Sequence, residues 1–312
     1  MLGKTAGGLF WMFRYLERSE NTARLVDAGF RISLTRAASA DDEWSSILTT
    51  SGTHSAYLER HDNINRADVI NFLLRDRTNP TSVMSVMEAA RNNARLVRTA
   101  ITREVWEAVN DSWMVLKDTL SDNIVETELP GILGVIRQQS ALVRGALHGT
   151  MLRNDIFNFC RLGTFTERAD NIARILDVKY YVLLPSVSHV GSSLDNVQWE
   201  TILRSASAER AFSWLNDDAT PKNIASFLIL DKRLPRSLRF CYDNIVRNFG
   251  FIADEYGARV PCHDTADKIR ARLADQTISD IFSSGLHEFI QDFIRSNNGL
   301  GQQIETDYRF YG

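Results

Sequence analysis

Residues Tyr15–Asp27 read YLERSENTARLVD, and residues Phe165–Asp177 read FTERADNIARILD. Both fit the pattern aromatic-x-Glu-Arg-x-acid-Asn-x-Ala-Arg-x-x-Asp. Two further links follow in the same order and nearly the same phase. VINFLLRDRTNPTSV at Val69–Val83 matches IASFLILDKRLPRSL at Ile224–Leu238, and Trp44-x-x-Ile47-Leu48 matches Trp199-x-x-Ile202-Leu203. The simplest account is a tandem duplication of a unit of roughly 150 residues, an ordinary domain length.

Each motif reads as one long helix, expected at about Gly8–Leu34 and Asn154–Leu184. At about 100° per residue, Glu17, Glu20, Asn21, Arg24, Asp27 and Arg31 share one face, and Leu16, Ser19, Ala23, Val26 and Phe30 share the other. The second copy sets Glu167, Asp170, Asn171, Arg174 and Asp177 against Thr166, Ala173, Ile175, Leu176 and Tyr180. Elsewhere apolar residues recur at three and four, as in Val83-Val86-Met87-Ala90 and Phe282-Leu286-Phe289-Ile290-Phe293, and no convincing run alternates as strands do. Asn79-Pro80 and Thr220-Pro221 each read as a cap followed by a proline at the first helical position. Pro185 closes the second motif helix. The best loop is Pro185–Asp195, with Ala37–Asp42 as its counterpart. The expected fold is an all-α helical bundle of two tandem repeats, residues 1–150 and 151–312, related by a pseudo-twofold axis and packed as one unit. In that arrangement the polar faces meet, with Glu17 opposite Arg174 and Arg24 opposite Glu167.

Composition narrows the function classes. The chain has 312 residues, 44% hydrophobic and 24% charged, with a net charge of −3. That length supports a large core, and the charge gives no global reason to expect nucleic acid. Cys160, Cys241 and Cys262 are widely spaced and odd in number, which suits reduced structural thiols and neither a disulfide framework nor a metal knuckle. No apolar run is long enough to span a membrane. The N-terminal apolar stretch is interrupted too early, at Glu17 and Arg18, to be a signal peptide. A cytoplasmic protein is expected.

Most catalytic signatures are missing. None of the six histidines (His54, His61, His148, His189, His263, His287) forms HExxH, and no Glu precedes a His by three residues as a di-iron bundle requires. There is no GxGxxG, Walker loop or GxSxG elbow. No metal or cofactor is expected. The six tryptophans read as core, and Gly7-Gly8 as a local feature where the first helix begins. The Arg/Asn segments Arg91–Arg95 and Arg236–Arg247 either extend a polar interior or form solvated faces, the solvated reading being preferred.

The paired polar motif carries the functional argument. One reading is a network of ion pairs within and between helices, each exposed pair worth about 0.3–0.5 kcal/mol. The other is a shared cleft. There Arg18, Arg24, Arg168 and Arg174 clamp a carboxylate or phosphate, and Glu17 and Glu167 orient them or bind an amine. Glu20, Asn21, Asp27, Asp170, Asn171 and Asp177 complete the candidate set.

Met1–Asp27, as MLxxxAxxLFWMxRYLERxENTARLxD, and Leu162–Tyr181, as LGxxxERADNxARILDVKYY, resemble the Alpha-E family of bacterial proteins. The resemblance runs through NPxSV at Asn79–Val83 and LPRSLRxC at Leu234–Cys241, and departs at Gly7-Gly8, where polar or acidic residues are usual. It implies an all-helical fold and a place beside a circularly permuted ATP-grasp protein and a transglutaminase-like cysteine protease. The expected role is therefore a non-catalytic helical partner, or a module holding a peptide or amino-acid substrate, in an ATP-dependent amide- or peptide-forming system. The alternative is an enzyme component, a transferase or amide-forming unit, using the same paired site with a carboxylate of raised pKa as general base.

Overall fold

The computed structural model describes residues 1–35, 40–183, 193–216 and 218–311. Among them all regular structure is helical. The first half holds α1 (Gly3–Thr35), α2 (Ala40–Ser51), α3 (His54–Leu58), α4 (Arg66–Leu74), α5 (Val83–Leu96), α6 (Arg103–Thr119) and α7 (Leu129–Thr150). The second holds α8 (Asp155–Leu183), α9 (Ser193–Ser205), α10 (Glu209–Ser213), α11 (Pro221–Leu230), α12 (Leu238–Tyr256), α13 (Pro261–Asp275), α14 (Ile278–Ser284) and α15 (Leu286–Asp307).

The two motif helices are the hub. α1 packs on α8, α5, α7, α2 and α9, and α8 packs on α1, α12, α15, α2 and α9. Each half therefore lends a helix to the other's hub, α2 to α8 and α9 to α1. One contiguous apolar cluster draws on both halves, from Phe10, Trp44 and Val109 to Phe165, Ile245 and Ile304. The wheel separates a polar from an apolar face, but around the middle of the helix both are buried: Glu17, Glu20 and Asn21 as well as Leu16, Ala23 and Val26. A helix surrounded on every side needs partners for its polar face, and here those partners are other helices.

Gly163 sets how closely the hub helices approach. A Cβ on it would stand 2.1 Å from the Phe10 carbonyl oxygen. Only glycine lets the α8 backbone rest on α1 there, one turn before Glu167-Arg168.

Local corrections have physical reasons. α1 begins at Gly3, so Gly7-Gly8 lies inside the helix; added Cβ atoms would meet the Phe310 ring and Val97. Those glycines serve packing. Thr220 caps α11 ahead of Pro221 as expected. Asn79 does not cap α5, because its side chain is committed elsewhere: it donates to the Phe72 carbonyl and accepts from the Thr81 amide and hydroxyl. Ser82 caps α5 instead, and Ser237, its match in LPRSL, caps α12. Residues 184–192 and 36–39 lie outside the described residues, as does Pro185. Both expected loops end early, since α9 is helical from Ser193 and α2 from Ala40. Trp44, Trp113 and Trp199 are core, but Trp214 is 79% exposed. No helix among the described residues is long and apolar enough to cross a membrane.

Candidate functional site

Where α1 crosses α8, each Glu-Arg dipeptide meets the other in reverse. Arg168 donates from Nε and Nη2 to the two oxygens of Glu17, at 2.8 and 2.9 Å. Arg18 donates the same way to Glu167, at 2.5 and 2.9 Å. These are bidentate, charge-assisted contacts onto buried carboxylates. The faces meet as expected, but six residues, nearly two turns, away from the anticipated register: Glu17 takes Arg168 and not Arg174, and Arg24 takes Glu20 and not Glu167.

Further arginines complete the network. Arg14 donates to Glu167 at 2.9 Å and lies over the Trp11 ring. Arg236 donates to Glu20 at 2.5 Å, to Glu17 at 3.3 Å and to the Asn21 side-chain oxygen at 3.4 Å. Arg144 donates to Glu20, as does Arg24, whose Nη1 also donates to Ser207. Arg236 lies in one of the Arg/Asn segments read as solvated, yet it is 9% exposed. Its position in LPRSL was the available signal. Arg14 and Arg144 carried none beyond their helical phase.

Burial alone would raise the Glu17 carboxyl, but the guanidinium groups of Arg168 and Arg236 hold it far below the usual carboxylate range. Glu167 is likewise brought down to about 2 by Arg18 and Arg14 against its burial. Glu20 is lowered too: Arg236, Arg144 and Arg24 outweigh burial and the repulsion of Glu17. Burial pushes Arg236 down to about 10, which leaves it cationic at neutral pH.

The remaining candidates divide into two groups. Asp27 accepts from Arg31 and Arg137, and Asp177 from Gln291 with His287 beside it at 2.7 Å; both stand apart from the crossing. Arg18, Asn21, Glu167, Asp170, Asn171 and Arg174 instead line a cavity of about 240 Å³ together with Thr22, Leu25, Thr50–Gly52, Leu73 and Thr81. Arg174 donates from Nε to one Asp170 oxygen at 2.6 Å. The other Asp170 oxygen and the amide nitrogens of Asn21 and Asn171 are buried with no partner among the described residues.

The chain matches, over residues 1–308, the Alpha-E family, described as a predicted alpha-helical domain with a conserved ER motif. It belongs to the Alpha-E family. No curated protein and no solved structure matches it. Four Glu-Arg dipeptides occur in this Alpha-E chain, at Glu17, Glu59, Glu167 and Glu209. Glu59-Arg60 and Glu209-Arg210 are exposed, whereas Glu17-Arg18 and Glu167-Arg168 form the reciprocal clasp.

Proposed function

We propose that this Alpha-E protein is a non-catalytic helical module of an ATP-dependent amide- or peptide-forming system, holding an amino-acid or peptide substrate for a circularly permuted ATP-grasp partner in the cytoplasm. On this reading it is built from two repeats, 1–150 and 151–312, about an approximate twofold axis through the clasp. A transglutaminase-like protease is a second candidate neighbour, as the family resemblance implies. One observation carries the choice of binding over chemistry. Both ER carboxylates are saturated by arginines and held low, the opposite of what a general base at neutral pH requires. Beside them lies a cavity whose polar atoms include several with no partner among the described residues. The ER motif then acts as a rigid frame, and the cavity does the holding.

The test is reconstitution with the ATP-grasp protein encoded nearest to this chain. Co-elution, together with amide formation whose substrate KM falls when this chain is added, supports the proposal. Absence of a complex, or turnover of ATP or amide by this chain alone, overturns it.

A further inference from the structure

The sequence offsets match the two sides of the crossing position by position: Glu20 with Asp170, Asn21 with Asn171, Arg24 with Arg174, Gly52 with Ser207 and Thr81 with Arg236. Gly52 and Ser207 even share a left-handed backbone, with φ of 72° and 51°. The last two pairs differ in chemistry, and the difference opens the cavity. On one side the Arg236 guanidinium sits on Glu20, and the Ser207 hydroxyl accepts from Arg24. On the other, Thr81 brings no cation and Gly52 no side chain. Asp170 keeps one oxygen without a partner, and the Arg174 Nη groups make no hydrogen bond among the described residues, with Nη1 facing Gly52.

We propose that this cavity binds a free α-amino acid as its zwitterion. The ammonium meets the Asp170 oxygen that has no partner among the described residues, in the cavity that Thr81 lines where the other side carries Arg236. The carboxylate meets the outer nitrogens of Arg174 and the amides of Asn21 and Asn171. The inference deepens the substrate-holding reading and rests on it for its role in the cell.

Three features of the cavity point to a zwitterion. Asn21 and Asp170 are 4% and 8% exposed, and buried polar atoms without partners are costly, so the site is incomplete by itself. The Asn21 oxygen is already held by Arg236, which leaves its N–H groups to a ligand. Second, the lining charges cancel, Arg18 and Arg174 against Glu167 and Asp170. A phosphate or a simple amine would bring an uncompensated charge into the interior, whereas a zwitterion brings none. Third, Asp170 and Arg174 are bonded neighbours one turn apart, so the two ligand charges must sit close together, as on one α-carbon. The volume, about 240 Å³, lies below the roughly 300–1,000 Å³ of pockets that bury drug-sized molecules.

The experiment is calorimetry and thermal melting on the full chain alone. The probes are the standard α-amino acids, 6-aminohexanoate, propionate, propylamine and inorganic phosphate, each at millimolar concentration. At least one α-amino acid should bind and raise Tm by about 2 °C or more, with the other probes about tenfold weaker or worse. Asn171→Leu removes an unpartnered amide, and Thr81→Arg supplies the missing cation. Both should fold, melt no lower than wild type, and lose the amino acid by about tenfold or more. Phosphate or propionate binding equally well, no α-amino acid binding, or both variants binding like wild type would each overturn the proposal. Because the partner protein is absent, failure here leaves complex formation with the ATP-grasp protein as a separate result, and the reverse holds.

Discussion

Glu17 and Arg168 stand 151 positions apart and share two hydrogen bonds, while their sequence neighbours Arg18 and Glu167 make the same pair in the opposite sense. Removing one charge leaves the other buried and uncompensated. Glu17→Gln is expected to cost about 3–5 kcal/mol, because Arg168 and Arg236 then face each other without their shared carboxylate. The double variant Glu17→Gln/Arg168→Gln should cost clearly less than the sum of the singles, since the buried guanidinium goes too. Urea denaturation midpoints measure both. A Glu17→Gln protein as stable as wild type would mean that the clasp contributes only exposed-pair energies.

The same carboxylates predict acid lability. Their folded pKa values lie below 4.5, so in acid the unfolded chain takes up protons first and unfolding is favoured. The stabilisation is complete above about pH 4.5 and is lost as pH falls toward 2, the folded value for Glu167. Far-UV circular dichroism over that window should show a cooperative loss of helix. Retention of full structure at pH 2 would contradict the assigned ionisation.

Glycines in helices usually gain from alanine, by about 1 kcal/mol in exposed interiors. Gly145 of α7, whose added Cβ meets nothing within 4 Å, should follow that rule. Gly163 should reverse it. Its Cβ would sit 2.1 Å from a backbone oxygen of α1, which has no rotamer to change. Gly163→Ala is expected to destabilise by about 1–3 kcal/mol or more through overpacking. Melting the two variants side by side decides the matter; equal behaviour would show that the α1–α8 crossing is not fixed by this contact.

These contacts explain which parts of the site could be read in the sequence. The long helices and the shared polar face were legible because the pattern repeats over thirteen residues in each copy. The wheel gives the face but not its register. Pairing Glu17 with Arg168 instead of Arg174 depends on where α8 rests on α1, and the Gly163–Phe10 approach fixes that. Nor does a wheel show what a polar face looks at. Arg14 stands immediately before the thirteen-residue motif, and Arg144 and Arg236 come from α7 and the turn before α12. One of the two differences at the cavity, Thr81 against Arg236, stood in plain view in NPTSV and LPRSL. It had no meaning until both residues were seen beside the motif carboxylates.

The two halves are expected not to come apart. Residues 1–150 and 151–312 would unfold separately if each kept its own core. The clasp, the seat of α2 on α8 and that of α9 on α1 all oppose this. Cys160, Cys241 and Cys262 are fully buried in the second half, and burial pushes the Cys241 thiol up to about 12, so native labelling should be very slow. Hydrogen exchange in α5 and α6 reports on the first half. In a urea titration, thiol labelling and exchange in α5 and α6 should follow one transition with a common midpoint. Two separated midpoints would show that the halves are independent folding units that merely touch through the clasp. In that case Glu17→Gln would shift only the less stable half, and a single midpoint that moves as a whole in that variant is the result expected here.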